Sequence, residues 1–379
     1  MRQLRRPEIE IGGRRIGGSA PAYIIAEIGT SHEGDLECAR ELIDRAAEAG
    51  VDCAKFQAVF ADEIIHPRTG SVELPGGATP LYERFRSVER EASFYAALKE
   101  HTEKRGLKFL CTPFGPRSAA MLEGLGVELF KVASPELNYD SLIEQLGGYG
   151  KPIILSSGVS TLGDIEHALS LLSGGECALL HCVTSYPAPP EESNLRVMPA
   201  LEALFGVPVG LSDHSRDPVL VPALAAAMGA SVIEKHLTLS HEGAGLDDPI
   251  ALEPRELRAM VAAVRRAETE GIEATVARLS RGSSPEIVER VLGDGVKRLA
   301  PSERDNYGST NRSIHAISDV KHGTVLTASL VAVLRSEKNL RPGLSPSTLP
   351  VILGKRLVRD VRAGEGILWG DLLESPDNR

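Results

Sequence analysis

No stretch of this 379-residue chain approaches the roughly 20 consecutive apolar residues that a membrane-crossing helix needs. Its start, MRQLRRPEIEIGGRRIGG, is basic but lacks the apolar core of a secretory signal, so a cytoplasmic protein without a membrane partner is expected. Cysteine is sparse. Of the five, Cys53, Cys111, Cys177 and Cys182 stand in apolar, strand-like runs where thiols act as small hydrophobes, and the spacing of Cys177 and Cys182 matches no CxxC pair. Neither a disulfide framework nor a cysteine metal site is expected, which suits a reducing compartment. Positive charge is not in excess either: 42 Lys and Arg against 52 Asp and Glu leave a formal charge of -10, and no basic stripe offers itself to a nucleic acid. A Walker-type glycine loop is missing, as is a GxGxxG turn after the first strand, which argues against nucleotides and dinucleotides. Any anionic substrate must be held by local cations.

What the chain does have is a regular alternation. Short apolar runs fall at 22–29, 53–59, 107–114, 129–134, 152–158, 177–184, 207–213 and 231–238. Amphipathic stretches such as LECARELIDRAAEAG and TLGDIEHALSLLSGG separate them, often closing on Gly as helix ends do. Strand and helix alternating eight times predicts a (β/α)8 TIM barrel, with a doubly wound open sheet as the alternative. The length suits such a barrel followed by a small module.

Polar residues gather toward the C-terminal ends of these runs, the edge from which a barrel's catalytic loops spring. They include Glu27, Lys55, Gln57, Thr112, Lys131, Ser134, Ser156, Ser212, His214, Glu234 and His236. Side chains two apart share a face of a strand, which pairs Lys55 with Gln57 and Glu234 with His236. A single polar strand end is usually a local cap, but the repetition in nearly every strand points to a site. Lys55 and Lys131 are costly in apolar strands without an anionic partner. One resolution is an ion pair with Glu27 or Glu234; the other is a bound phosphate and carboxylate, cradled together with the hydroxyls of Thr112, Ser134, Ser156 and Ser212. His214 and His236 end neighbouring strands, where two imidazoles could share a divalent ion and leave coordination positions open for catalysis.

The segments AEIGTSHEGDLECARELIDRAAEAGVDCAKFQ, FLCTPF, FKVASPEL, LSSGVSTLGDIEHAL, LLHCVTSYPAPPEESNL, GLSDHS, IEKHLTL and LGDGVK run in order along almost the whole chain. In them the chain resembles the sialic acid synthases and their legionaminic, pseudaminic and spore-coat polysaccharide relatives. The tail from NRSIHAISDV onward looks like the small β-rich antifreeze-like (SAF) domain of those enzymes. The resemblance implies a barrel domain over 1–285, a linker over 286–309 and a SAF domain over 310–379. It implies condensation of phosphoenolpyruvate with an open-chain N-acylated amino sugar such as N-acetylmannosamine, with carbon–oxygen cleavage and release of phosphate.

Carried over position by position, His214 and His236 match ligands of a divalent metal, Mn2+ before Mg2+ or Co2+. Lys55, Thr112, Lys131, Ser134, Ser156 and Ser212 match phosphoenolpyruvate contacts, while Gln57, Tyr186 and Asp247 match sugar contacts. Glu27 and Glu136 are the candidates for handling the attacking water, and Glu136 also matches a position that meets the sugar. Arg312 matches an arginine that a partner chain inserts into the barrel, so a domain-swapped homodimer is expected. Departures lie mainly on the sugar side: SHEG for NHNG, TPFG for TPFD, Thr184 for a frequent Asn, and AGLDD for PGPDH. The rival readings are a Schiff-base barrel aldolase using Lys131 or Lys235, and a non-catalytic sugar-binding protein.

Overall fold

A computed structural model describes residues 6–74, 77–172 and 174–373; the ends of the expected first and last domains, 1–5 and 374–379, lie outside the described residues. Eight parallel strands form one sheet: β1 (Tyr23–Gly29), β2 (Cys53–Ala58), β3 (Lys108–Pro113), β4 (Phe130–Val132), β5 (Ile153–Ser156), β6 (Cys177–Cys182), β7 (Val209–Asp213) and β8 (Val232–His236). Each falls inside one of the eight apolar runs. Neighbours in sequence are hydrogen-bonded neighbours in space, β8 returns to pair with β1, and the ladder is open only between β3 and β4, which lie side by side. This is the TIM barrel.

Alternation along the strands sorts their side chains into two cores. Tyr23, Ile25, Cys53, Leu110, Ile154, Ala178, Leu180 and Val232 fill the interior. Their chain neighbours Ile24, Ala54, Phe109, Cys111, Leu155, Leu179 and Ile233 face the helical layer. An N-terminal hairpin, Glu8–Ile11 paired with Arg14–Gly17, sends Ile9, Ile11 and Ile16 into the interior cluster at the end where the strands begin, and so plugs it. The opposite end is left for polar groups.

Helix Leu36–Ala49 shows how the outer layer is made. The Asp35 carboxylate caps it by accepting from the Cys38 amide at 2.8 Å, and Gly50, in the left-handed region at φ 83°, ends it. Ala39, Leu42, Ile43, Ala46 and Ala49 recur at three- and four-residue spacing and are buried. No helix among the described residues is long and apolar enough to cross a membrane.

The span expected to be a linker, 286–309, is not one. Ser284 caps a helix, Pro285–Leu292, whose Val288, Val291 and Leu292 join the barrel's outer core, so the barrel domain extends past residue 285. Beyond it the chain, which includes the 3-10 turn Pro301–Glu303, is tied down. Glu303, 1% exposed, accepts from the amides of Val159 and Thr184, both at 2.7 Å, and Lys297 donates to the Ser157 carbonyl at 2.8 Å. The small domain pairs β9 (Arg312–Ala316) with β10 (Val331–Arg335) over a core of its own that includes Ile314, Leu326, Ile352 and Ile367. It docks on the C-terminal mouth of its own barrel. Asn138 exchanges two hydrogen bonds with the Arg312 backbone, at 2.8 and 3.0 Å, and the Arg335 amide donates to the Ile64 carbonyl at 2.9 Å.

Candidate active site

At the C-terminal mouth the strands line a cavity open toward the loops. Strand parity decides its lining. The inward positions that carry Ile25, Cys53 and Val232 lower down carry Glu27, Lys55 and Glu234 two residues on, and Gln57 and His236 two residues further. Thr112, Lys131, Ser134, Ser156, Ser212, His214, Tyr186 and Asp247 complete the expected members, and Phe114, Ala133 and Pro135 supply an apolar wall.

The two lysines stand either side of Glu234. Lys55 Nζ lies 2.9 Å from Glu27 Oε2 and 3.4 Å from Glu234 Oε2; Lys131 Nζ lies 2.6 Å from Ser156 Oγ but 3.7 Å from Glu234 Oε1. Ser212 Oγ donates to Glu234 Oε1 at 2.9 Å, and Gln57 Nε2 donates to Glu27 Oε1 at 2.8 Å. The ion pairs anticipated as the simpler resolution therefore exist, but they do not use up the cluster. Thr112 Oγ1 is buried without a hydrogen-bond partner, and Lys131 has no carboxylate within hydrogen-bond reach. Burial works against the charge on Lys55, yet Glu234 and Glu27 outweigh it and raise its pKa; burial, helped by Lys55, holds Lys131 below the usual lysine value.

The imidazoles of His214 and His236 have ring centres 5.4 Å apart, and Tyr186 lies over His214 at 4.4 Å. His214 Nδ1 donates to the Val183 carbonyl at 2.9 Å, which leaves Nε2 with a free lone pair. His236 Nδ1 is 3.7 Å from Asp247 Oδ2, beyond a hydrogen bond. Burial, then the charges of His214 and Lys55, push His236 well below the ordinary histidine range, so its ring is neutral. Burial and Glu27 push Asp247 up to about 6. No group of three or more ligating side chains converges among the described residues, so what the site offers a divalent cation is this imidazole pair with its remaining positions open.

Two expected members are elsewhere. Glu136 is fully buried outside the cavity lining, with Oε1 2.9 Å from Arg312 and 2.6 Å from Arg335. Arg312 comes from the same chain as the barrel it touches. Its guanidinium also donates to the carbonyls of Phe114 at 2.8 Å, of Ile64 and Val333 at 3.2 Å each, and of Glu63. In this arrangement a fork spent on that many acceptors has no N–H left for a substrate. Lys235 is also out of reach, for parity sends it to the outside of β8, where it pairs with Asp213 at 2.6 Å. At TPFG, the Glu63 carboxylate caps helix Pro116–Gly124 by accepting from the Arg117 and Ser118 amides, and a Cβ on Gly115 would stand 2.6 Å from its Cδ. Glu234, which the IEKH alternation had set on the face of His236, was given no role in the site beyond pairing with a lysine.

A barrel whose mouth joins two lysines, a row of hydroxyls and two imidazoles defines an enzyme built for an anionic substrate beside a cation. The chain belongs to the NeuB family, which its residues 42–273 match, and residues 311–373 match the SAF domain. It is an enzyme of the sugar-acid synthase class. It is 34% identical to the spore coat polysaccharide biosynthesis protein SpsE of Bacillus subtilis, over 96% of this chain and 97% of that one. It is 32% identical to the N,N'-diacetyllegionaminic acid synthase of Campylobacter jejuni, over 90% and 97%. The crystal structure of Bacillus subtilis SpsE superposes with a TM-score of 0.82, covering 97% of this chain and 99% of that one at 33% identity. That of the N-acetylneuraminic acid synthetase of Leptospira borgpetersenii gives 0.64 over 80% and 96% at 32% identity.

Proposed function

We propose that this enzyme joins phosphoenolpyruvate to an open-chain N-acylated amino sugar, N-acetylmannosamine or a relative, to give a nine-carbon sugar acid and inorganic phosphate, with a divalent cation, manganese first, on His214 and His236. The observation that carries it is that Lys131, without a carboxylate in hydrogen-bond reach, and the unpartnered hydroxyl of Thr112 share one cavity with Lys55 and that imidazole pair. Lys131 and Lys55 hold the phosphate and carboxylate of phosphoenolpyruvate, with Thr112, Ser134, Ser156 and Ser212 supplying directed hydrogen bonds. A bound cation at the histidines supplies Lewis-acid polarisation of the sugar's aldehyde oxygen.

Carbon 3 of phosphoenolpyruvate forms the new bond to the aldehyde carbon, and water adds at carbon 2. The carbon–oxygen bond to phosphate then breaks, the phosphate keeps its bridging oxygen, and the hydroxyl left on carbon 2 loses its proton to become the keto group. Glu27, held by Gln57 and Lys55 inside the cavity, orients or deprotonates that water; it is favoured over Glu136, which lies outside the cavity lining with Oε1 shared by two arginines. Asp247 and Tyr186 line the side left for the sugar. Incubation of phosphoenolpyruvate and Mn2+ with a panel of N-acylated hexosamines, their 6-phosphates and dideoxy diacetamido sugars should yield one product acid by mass, with equimolar phosphate. Release of phosphate with none of them would overturn the reading, and borohydride trapping of a keto acid on Lys131 would favour the aldolase.

A further inference from the structure

Asp247 reaches the cavity from segment 240–248, SHEGAGLDD, which follows β8 and has little apolar material with which to hold itself in place. Part of the hold is internal. Asp248, 2% exposed, accepts from the Gly245 amide at 2.8 Å, and a Cβ on Gly243 would stand 2.1 Å from its Oδ2. The rest comes from helix Leu81–Val88, far away in the chain. Arg84 donates to the Ala244 carbonyl at 2.8 Å, while both carboxylate oxygens of Glu33 grip the same guanidinium. Three residues on from Ala244, by way of Leu246, the segment reaches Asp247; Leu246 itself packs into the apolar cluster that Leu81 and Val88 share with Phe114, a cavity wall.

We propose that Arg84, oriented by Glu33, is a positioning residue of the sugar subsite: it fixes segment 240–248 so that Asp247 stays in the cavity, and it contributes nothing to the phosphoenolpyruvate side. The proposal rests on the reaction read above. An arginine is required because one planar fork must meet a carboxylate and a carbonyl together, which a lysine ammonium does less well.

The test compares full-length wild type with Arg84→Ala, Arg84→Lys and Glu33→Gln. For Arg84→Ala the sugar KM should rise roughly tenfold while the phosphoenolpyruvate KM stays within about twofold, and Arg84→Lys should recover only part of the loss. Glu33→Gln, which keeps the acceptor but not the charge, should fall between wild type and Arg84→Ala. Hydrogen–deuterium exchange across 240–248 should quicken in Arg84→Ala in the absence of substrates. Equal rises in both KM values, or unchanged exchange, would overturn the proposal. If wild type turned over no sugar, the reaction would be wrong, and the exchange rates alone would decide whether Arg84 holds the segment.

Discussion

Strand β8 carries two buried clusters of lysine and carboxylate, one on each face and only one residue apart. On the outer face Lys235 meets Asp213 at 2.6 Å and Ser215 Oγ at 3.3 Å, and also donates to the Ser215 carbonyl, while Asp213 accepts in turn from the Ser215 amide at 2.9 Å and its hydroxyl at 3.0 Å. On the inner face Glu234 lies between Lys55, at 3.4 Å, and Lys131, at 3.7 Å, both longer than the outer pair, and the Thr112 hydroxyl has no hydrogen-bond partner. Both clusters are at most about 5% exposed, so burial does not separate them. Saturation does. A buried cluster whose donors and acceptors cancel stabilises the fold; one with donors and acceptors to spare has been left open for something that arrives later.

Replacing each lysine with an apolar side chain of similar length tests that contrast. Lys131→Met should cost the largest effect, a fall in kcat/KM of roughly a thousandfold or more, because a charge aimed at an anionic substrate is lost. Its melting temperature should stay close to wild type, since an incompletely paired buried ammonium is itself expensive. A marked drop in melting temperature would show that the inner cluster is structural after all. Lys235→Met should do the reverse: it strands the Asp213 carboxylate in the outer layer and should destabilise the fold by about 3–5 kcal/mol in urea unfolding, with the phosphoenolpyruvate KM little changed. Equal activity losses in the two variants would erase the distinction.

The smallest effect concerns two histidines outside the cavity. His181 bonds the Ser193 carbonyl at 2.7 Å, and His315 bonds Ser313 Oγ and the Gly364 carbonyl, both at 2.8 Å. Burial is the main cause that lowers His181 to about 3 and His315 to about 4. The folded protein then binds fewer protons than the unfolded chain, whose histidines titrate near 6.5. Their contribution to stability is complete above that value and is lost as pH falls through the window from about 6.5 toward 4 and then 3, on the order of 1–2 kcal/mol for each by pH 5. Urea unfolding at pH 7, 6 and 5 should follow that slope, and His315→Gln should make it shallower. A slope unchanged in the variant would locate the acid sensitivity elsewhere.

Most of the barrel and much of its mouth could be read from the chain alone. Eight apolar runs marked eight strands, and alternation along FQ, KF and IEKH put Lys55, Gln57, Glu234 and His236 on one side, because the pleat of a strand is a local property that every pair of residues obeys. Helix Pro285–Leu292 was missed as a part of the barrel because its hydrophobic face has meaning only against the core it joins. Arg312 and Glu136 were matched to a motif, and a motif does not count acceptors: the carbonyls of residues 63, 64, 114 and 333 that surround the guanidinium in the single chain come from distant places that the sequence does not bring together. Lys131 and Lys235 are alike in sequence, each a lysine inside an apolar strand. What separates them is the number of partners brought from distant parts of the chain, and hydrogen-bond saturation is a sum over such neighbours that only the folded structure can supply.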